Sequence, residues 1–195
     1  MTYDGLYPVK GSSADAAWAR PDADISQYSK IMLEGVGIEY RPGGETRRLP
    51  RLSSKTEFFE IDDKQKARLE EIVRESMVNE LSKSEHFEMV DAAGPDVLLV
   101  RVALLDVVSY VPPDPISNTD IYLSRVGEAT MVLELRDSQT GTIIARSADR
   151  RAAENKAVGF SESNRVSNAS EVRRVTNAWA RKLRDRLDAY ATPKE

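Results

Sequence analysis

Cysteine is absent from this 195-residue chain, and histidine occurs once, at His86. Without thiols there is no disulfide, no cysteine nucleophile and no thiolate metal site, and one imidazole leaves too few soft ligands for a structural zinc. Long apolar runs are also missing: none approaches the roughly 20 residues of a membrane-spanning helix. Basic excess is lacking, since 28 Lys and Arg stand against 32 Asp and Glu, a formal charge of -4. Domains that grip phosphate backbones normally carry a net basic surface, so nucleic acid is not an expected partner. The opening residues MTYDGLYPVKGSS hold neither a basic n-region nor an apolar h-region, as in a cytosolic protein or a chain that begins after its leader.

The motifs of familiar chemistry are missing as well. Gly43 and Gly44 lack the following Lys-Ser or Lys-Thr of a phosphate loop, and no G-x-S-x-G or G-x-G-x-x-G turn occurs. The acidic stretch from Asp114 to Asp120 departs from a calcium loop at Ile116, Thr119 and Arg125. His86 has no recognisable nucleophile or orienting carboxylate in its sequence context, so a structural or surface role is expected for it. No cofactor, metal or catalytic residue is assigned.

What is present is an ordinary globular composition, 41% apolar and 31% charged, in a chain long enough for one sizeable core. Residues 1–29 hold scattered aromatics between Pro and Gly and read as an extended, weakly structured arm; residues 30–195 read as a single domain. KIMLEGVGIEY, 30–40, switches the parity of its apolar residues at Glu34-Gly35, which one extra residue in a bulge repairs. Residues 41–56 have no period and form a loop. From Asp62 to Ser84 an N-cap with Gln65 three residues on, followed by Leu69, Ile72, Val73, Met77 and Leu81, predicts a helix.

HFEMVD is a short strand, and DVLLVRVALLDVVSY, 96–110, is apolar on both faces apart from Arg101 and Asp106, which places it inside a sheet. After a proline-rich loop, GEATMVLELRDSQTG alternates Ala129, Met131, Leu133 and Leu135 with polar residues and turns at Gly141 into a second hairpin arm. A polar loop spans 152–167. NASE, 168–171, caps a last helix whose stripe is Val172, Val175, Trp179, Leu183, Leu187 and Tyr190. The expected class is α+β: a mostly antiparallel, mixed sheet of about five strands with two main helices on one face.

Two surfaces are candidates for binding. The long connection after residue 109 sets stiff apolar groups, Tyr110, Pro112, Pro113, Pro115, Ile116 and Tyr122, where ordered loops often bind, although prolines also suit the cover of a sheet edge. Charge is uneven: 57–91 holds 11 acidic and 5 basic residues, whereas 165–190 holds 7 basic and 3 acidic. Arg173, Arg174 and Arg181 therefore belong to a basic helix face, suited to an acidic partner or an anionic membrane surface, or simply solvated.

AGPDVLLVRVALLDV, GEATMVLELRDSQTG followed by ARSADRRA, DADISQYSKIMLEGV and NAWARKLRDRLD together resemble, in order and spacing, a family of uncharacterised bacterial lipoproteins, the domain of unknown function 3313, from about Trp18 onward. The resemblance implies a leader ending in a lipidated cysteine, absent from this chain, and a periplasmic domain tethered to an envelope membrane. It implies no activity. The expectation is a noncatalytic envelope module that binds another envelope protein or itself, without nucleic acid. The alternatives are a hydrolase using carboxylates such as Asp106, Asp114 or Asp120 with raised pKa values, and a periplasmic carrier with a cavity for a small apolar ligand.

Overall fold

The computed structural model of the chain describes residues 1–41, 59–110, 125–154 and 165–191. In chain order its elements are β1 (Tyr7–Pro8), β2 (Ala16–Ala19), β3 (Lys30–Tyr40), α1 (Asp63–Leu81), β4 (Glu88–Met89), β5 (Val97–Ser109), β6 (Arg125–Asp137), β7 (Ile143–Glu154) and α2 (Arg165–Ala191). The class is α+β as expected, but the sheet has seven strands, in the order β1-β2-β7-β6-β5-β3-β4.

The two additional strands lie in the stretch 1–29. β1 and β2 pair antiparallel, and β2 pairs with β7 from Ala16 against Ala148 to Ala19 against Ala145. Such short strands carry no alternation that periodicity can detect; tertiary contacts hold them. Leu6 is fully buried, Arg20 Nε donates to the Ile143 carbonyl at 2.6 Å, and Arg146 pairs with Asp4 at 2.6 Å.

β5 lies inside the sheet, parallel to β3 and antiparallel to β6. Leu98, Val100, Val102 and Leu104, every second residue, are buried beneath the helices, where apolar side chains leave water. The phase slip in β3 is real: the register shifts between Glu34 and Val36, so Ile31 and Val36 both reach the core. At Gly141 a φ of 69° lets the β6–β7 connection turn.

Helix α1 begins as its sequence dictates, with a capping box between Asp62 and Gln65. Its buried residues are Ile72, Val73, Ser76, Met77, Glu80 and Leu81. Helix α2 starts at Arg165, upstream of the expected cap, so Asn168 lies within the helix. The expected cap pattern, a small polar residue three before Glu171, also occurs inside helices where the backbone donors are already used. Val175, Trp179, Leu183 and Leu187 are buried, but Tyr190 is 53% exposed and leaves the stripe. Contacts pair Glu75 with Arg173, Ser76 with Thr176, Glu80 with Arg184 and Ser84 with Asp188. Both numbers in each pair rise together, so the helices run parallel, side by side.

Candidate functional site

The β5–β6 pairing carries a bulge between Leu105 and Val108, and within it Asp106 adopts φ 56°, a conformation that costs most L residues energy and that Asp tolerates better. The bulge turns the Asp106 carboxylate onto the sheet face away from the helices. There Arg41 Nε donates to Oδ1 at 2.6 Å, Arg41 Nη2 to Oδ2 at 2.5 Å and Arg150 Nη1 to Oδ2 at 2.8 Å. Arg150 also donates to Glu128, which Arg41 approaches at 3.7 Å. The hydrogen bonds from Arg41, then from Arg150, hold the Asp106 carboxyl well below the usual carboxylate range. It is therefore a fixed negative charge. The hydrolase alternative called for a raised carboxyl, and Asp106 is the reverse; Asp114 and Asp120 lie outside the described residues.

This four-residue cluster sits at one end of the sheet. The chain leaves there at Arg41, returns at Phe59, leaves at Tyr110, returns at Arg125, and leaves again at Glu154 before α2. Phe59 bridges to Ser109, and the Tyr110 backbone N–H donates to the Val126 carbonyl at 2.9 Å. Residues 1–6 lie at the opposite end, where Asp4 and Arg20 meet Ile143 and Arg146. Tyr110 is thus placed at the end that the long connections share, while Pro112, Pro113, Pro115, Ile116 and Tyr122 lie outside the described residues.

The basic helix face meets the neighbouring helix. Arg173 reaches Glu75 at 2.9 Å, and Arg174 reaches Glu171 at 2.8 Å and the Glu154 carbonyl at 2.9 Å. Arg184 Nη1 lies 2.9 Å from buried Glu80, which Lys83 also contacts at 2.7 Å. Arg181, 62% exposed, stands 3.9 Å from the same carboxylate. The acidic surplus of the first helix and the basic surplus of the last largely answer each other. Beneath α2, Trp179 Nε1–H donates to Asp149 Oδ2 at 3.0 Å. Burial pushes the Asp149 carboxyl up, but Arg151, Trp179 and Lys182 outweigh it and leave the group low. His86 is exposed just beyond α1. Among the described residues no group of three or more His, Cys, Asp or Glu is arranged to hold a metal ion, and no helix is long and apolar enough to cross a membrane.

One surface escaped the sequence reading: the sheet face opposite the helices. A charged row crosses it in register, Glu34 on β3, Arg101 on β5, Glu134 on β6 and Arg146 on β7. Ion pairs link Arg101 to Glu34 at 2.9 Å and Arg146 to Glu134 at 2.7 Å. The next row is small: Gly37, Ala103, Val132 and Ala148. Beyond it come Glu39, by strand alternation, then Leu105, Thr130 and Arg150. Each strand showed its own polar positions, but the rows exist only once bulges and register are known.

The family of proteins of unknown function DUF3313 matches residues 1–183. The chain belongs to this family. The DUF3313 match reaches back to residue 1, beyond the stretch that carried the resemblance, and so takes in both strands of the N-terminal arm. No curated protein matches the chain. Among solved structures, a DUF330 protein from Xanthomonas campestris is similar at 8% identity and TM-score 0.48, over 88% of this chain and 90% of that one. PelC from Paraburkholderia phytofirmans, a dodecamer, is similar at 12% identity and TM-score 0.36, over 92% and 95%. A candidate lipoprotein from Caulobacter crescentus is similar at 12% identity and TM-score 0.40, over 88% and 95%.

Proposed function

We propose that this DUF3313 chain is a noncatalytic module of the bacterial cell envelope, tethered at its N-terminal end in the periplasm, that binds another envelope protein at the far end of its sheet. One observation carries the reading. Residues 1–6 lie at one end of β7, and Arg41, Phe59, Tyr110 and Glu154 at the other; the eight steps from Arg146 to Glu154 span about 27 Å at strand rise. A lipidated cysteine ahead of residue 1, as the family resemblance implies, would hold the domain by one end and present Tyr110 on the other.

The Arg41–Asp106–Arg150–Glu128 cluster serves this arrangement as a brace. It ties β3, β5, β6 and β7 together at the end where their connections depart, so groups carried there keep their mutual positions without ordering on contact. The charges are satisfied within the cluster, which suits a scaffold.

Photo-crosslinking in cells tests the proposal. The full-length gene product, leader included, carries a photoreactive phenylalanine in place of Tyr110, Val78 or Tyr190. Val78 and Tyr190 are exposed helix positions, at 39% and 53%. The expected result is a discrete adduct from Tyr110 and none from the two helix sites. Recovery of uncrosslinked chain alone from all three positions would overturn the reading.

A further inference from the structure

We infer that the open face of the sheet pairs with the same face of a second copy of this chain. The charge order supports this. From β3 to β7 the first row reads Glu34, Arg101, Glu134, Arg146, negative and positive in alternation. A two-fold axis parallel to the strands, midway between β5 and β6, sets β3 of one copy over β7 of the other and β5 over β6. Glu34 then faces the second copy's Arg146, and Arg101 its Glu134. The third row obeys the same rule, because Glu39 on β3 falls opposite Arg150 on β7 while Leu105 meets Thr130. Every facing charge in these rows is of opposite sign, whereas an axis through β5 or through β6 would set like charges opposite each other; the Asp106 and Glu128 carboxylates, which the central axis brings face to face, are each already held by Arg150.

The row between them permits close approach. Gly37, Ala103, Val132 and Ala148 offer at most a valine side chain, so two such floors can come to the roughly 10 Å at which aligned sheets pack, with the usual crossing of about 30°. Long side chains in the flanking rows then border an apolar strip. Arg101 and Glu34 are half exposed, at 50% and 44% of their side chains, which leaves them free to share their charges across the interface. Four strands about 4.8 Å apart and about eight residues deep make a patch of roughly 500 Å² per copy, so about 1,000 Å² for the pair. That is the lower bound for a specific interface and fits a reversible dimer.

This rests on the interaction-module reading but uses a different surface from the one tested there. Sedimentation equilibrium on the purified chain, up to about 100 μM, is the direct measurement, with a monomer-dimer equilibrium expected. The Glu34→Arg chain is expected to be monomeric, as is the Arg146→Glu chain. Mixed together they are expected to dimerise, because each then meets its opposite charge; far-ultraviolet circular dichroism of each variant verifies the fold. A wild-type chain that stays monomeric throughout, or variants that self-associate as the wild type does, would overturn the pairing. A monomer that still forms the Tyr110 adduct removes the face pairing and leaves the envelope-binding proposal standing.

Discussion

Asp106 in the β5 bulge and Gly127, paired with Ser109 on the neighbouring β6, both lie at the braced end of the sheet, and their constraints differ in kind. Asp106 is held in an unusual backbone conformation by two arginines. Gly127 is confined by space, since a Cβ built there would lie 2.5 Å from the Val108 carbonyl oxygen. The obstacle is backbone, which cannot rotate aside. Gly127→Ala is therefore expected to lower stability by about 2 kcal/mol, in the range of overpacked positions. Gly35, in the β3 bulge, has nothing within 4 Å of such a Cβ, so Gly35→Ala is expected to change stability by less than about 1 kcal/mol. Urea unfolding of both variants, followed by circular dichroism, checks the contrast. Equal losses would show that the bulges tolerate side chains alike and would remove the close approach as the reason for Gly127.

Helices and long strands were legible from residue periods, because one buried face leaves a repeat in the sequence. The Asp62–Gln65 box, the β3 bulge and the β6–β7 turn at Gly141 all follow from local chemistry. What no period records is which element faces which. The basic residues of α2 read as an outward surface until α1 is laid beside it, and then Glu75 and Glu80 meet them. Their energies should differ with burial. The Glu75–Arg173 pair is 42% and 40% exposed, and exposed pairs contribute roughly 0.2–1 kcal/mol. Glu80 is 7% exposed at its side chain and shared by Lys83 and Arg184. Removing it leaves Arg184, 18% exposed at its side chain, with its contact to Asp185, a loss of about 2 kcal/mol, somewhat below that of a fully broken buried pair. Glu80→Ala is expected to unfold at distinctly lower denaturant than Arg173→Ala in chemical denaturation. A cost from Arg173→Ala as large as that from Glu80→Ala would reverse this ranking.

At the scale of the molecule, the N-terminal arm and the open face were invisible in the sequence for one reason: both depend on pairings between separate elements, more than a hundred positions apart for β2 against β7 and 67 for Glu34 against Arg101. β2 lies against β7, and through it the arm covers Ala145 to Ala148 of an edge that would otherwise expose the backbone of a 12-residue strand along its whole length. Unpaired edges of that length invite association with other chains. The arm also contributes a core residue, since Leu6 is completely buried, and burial of a leucine contributes about 2 kcal/mol. With the lost β2 ladder, deletion of residues 1–20 is expected to cost about 3 kcal/mol. For a chain of this length that corresponds to a fall of roughly 6–12 °C in melting temperature. The truncated chain should also aggregate through β7 in a concentration-dependent manner, read by light scattering and recovery from a sizing column. Substituting a lysine for Ala148, which faces away from the helices on that edge, should reduce the aggregation without restoring the melting temperature, because charge guards an edge but does not replace buried leucine. A truncated chain that melts like the intact one and stays dispersed would mean that residues 1–20 are only a leader to the fold, attached to the sheet without supporting it.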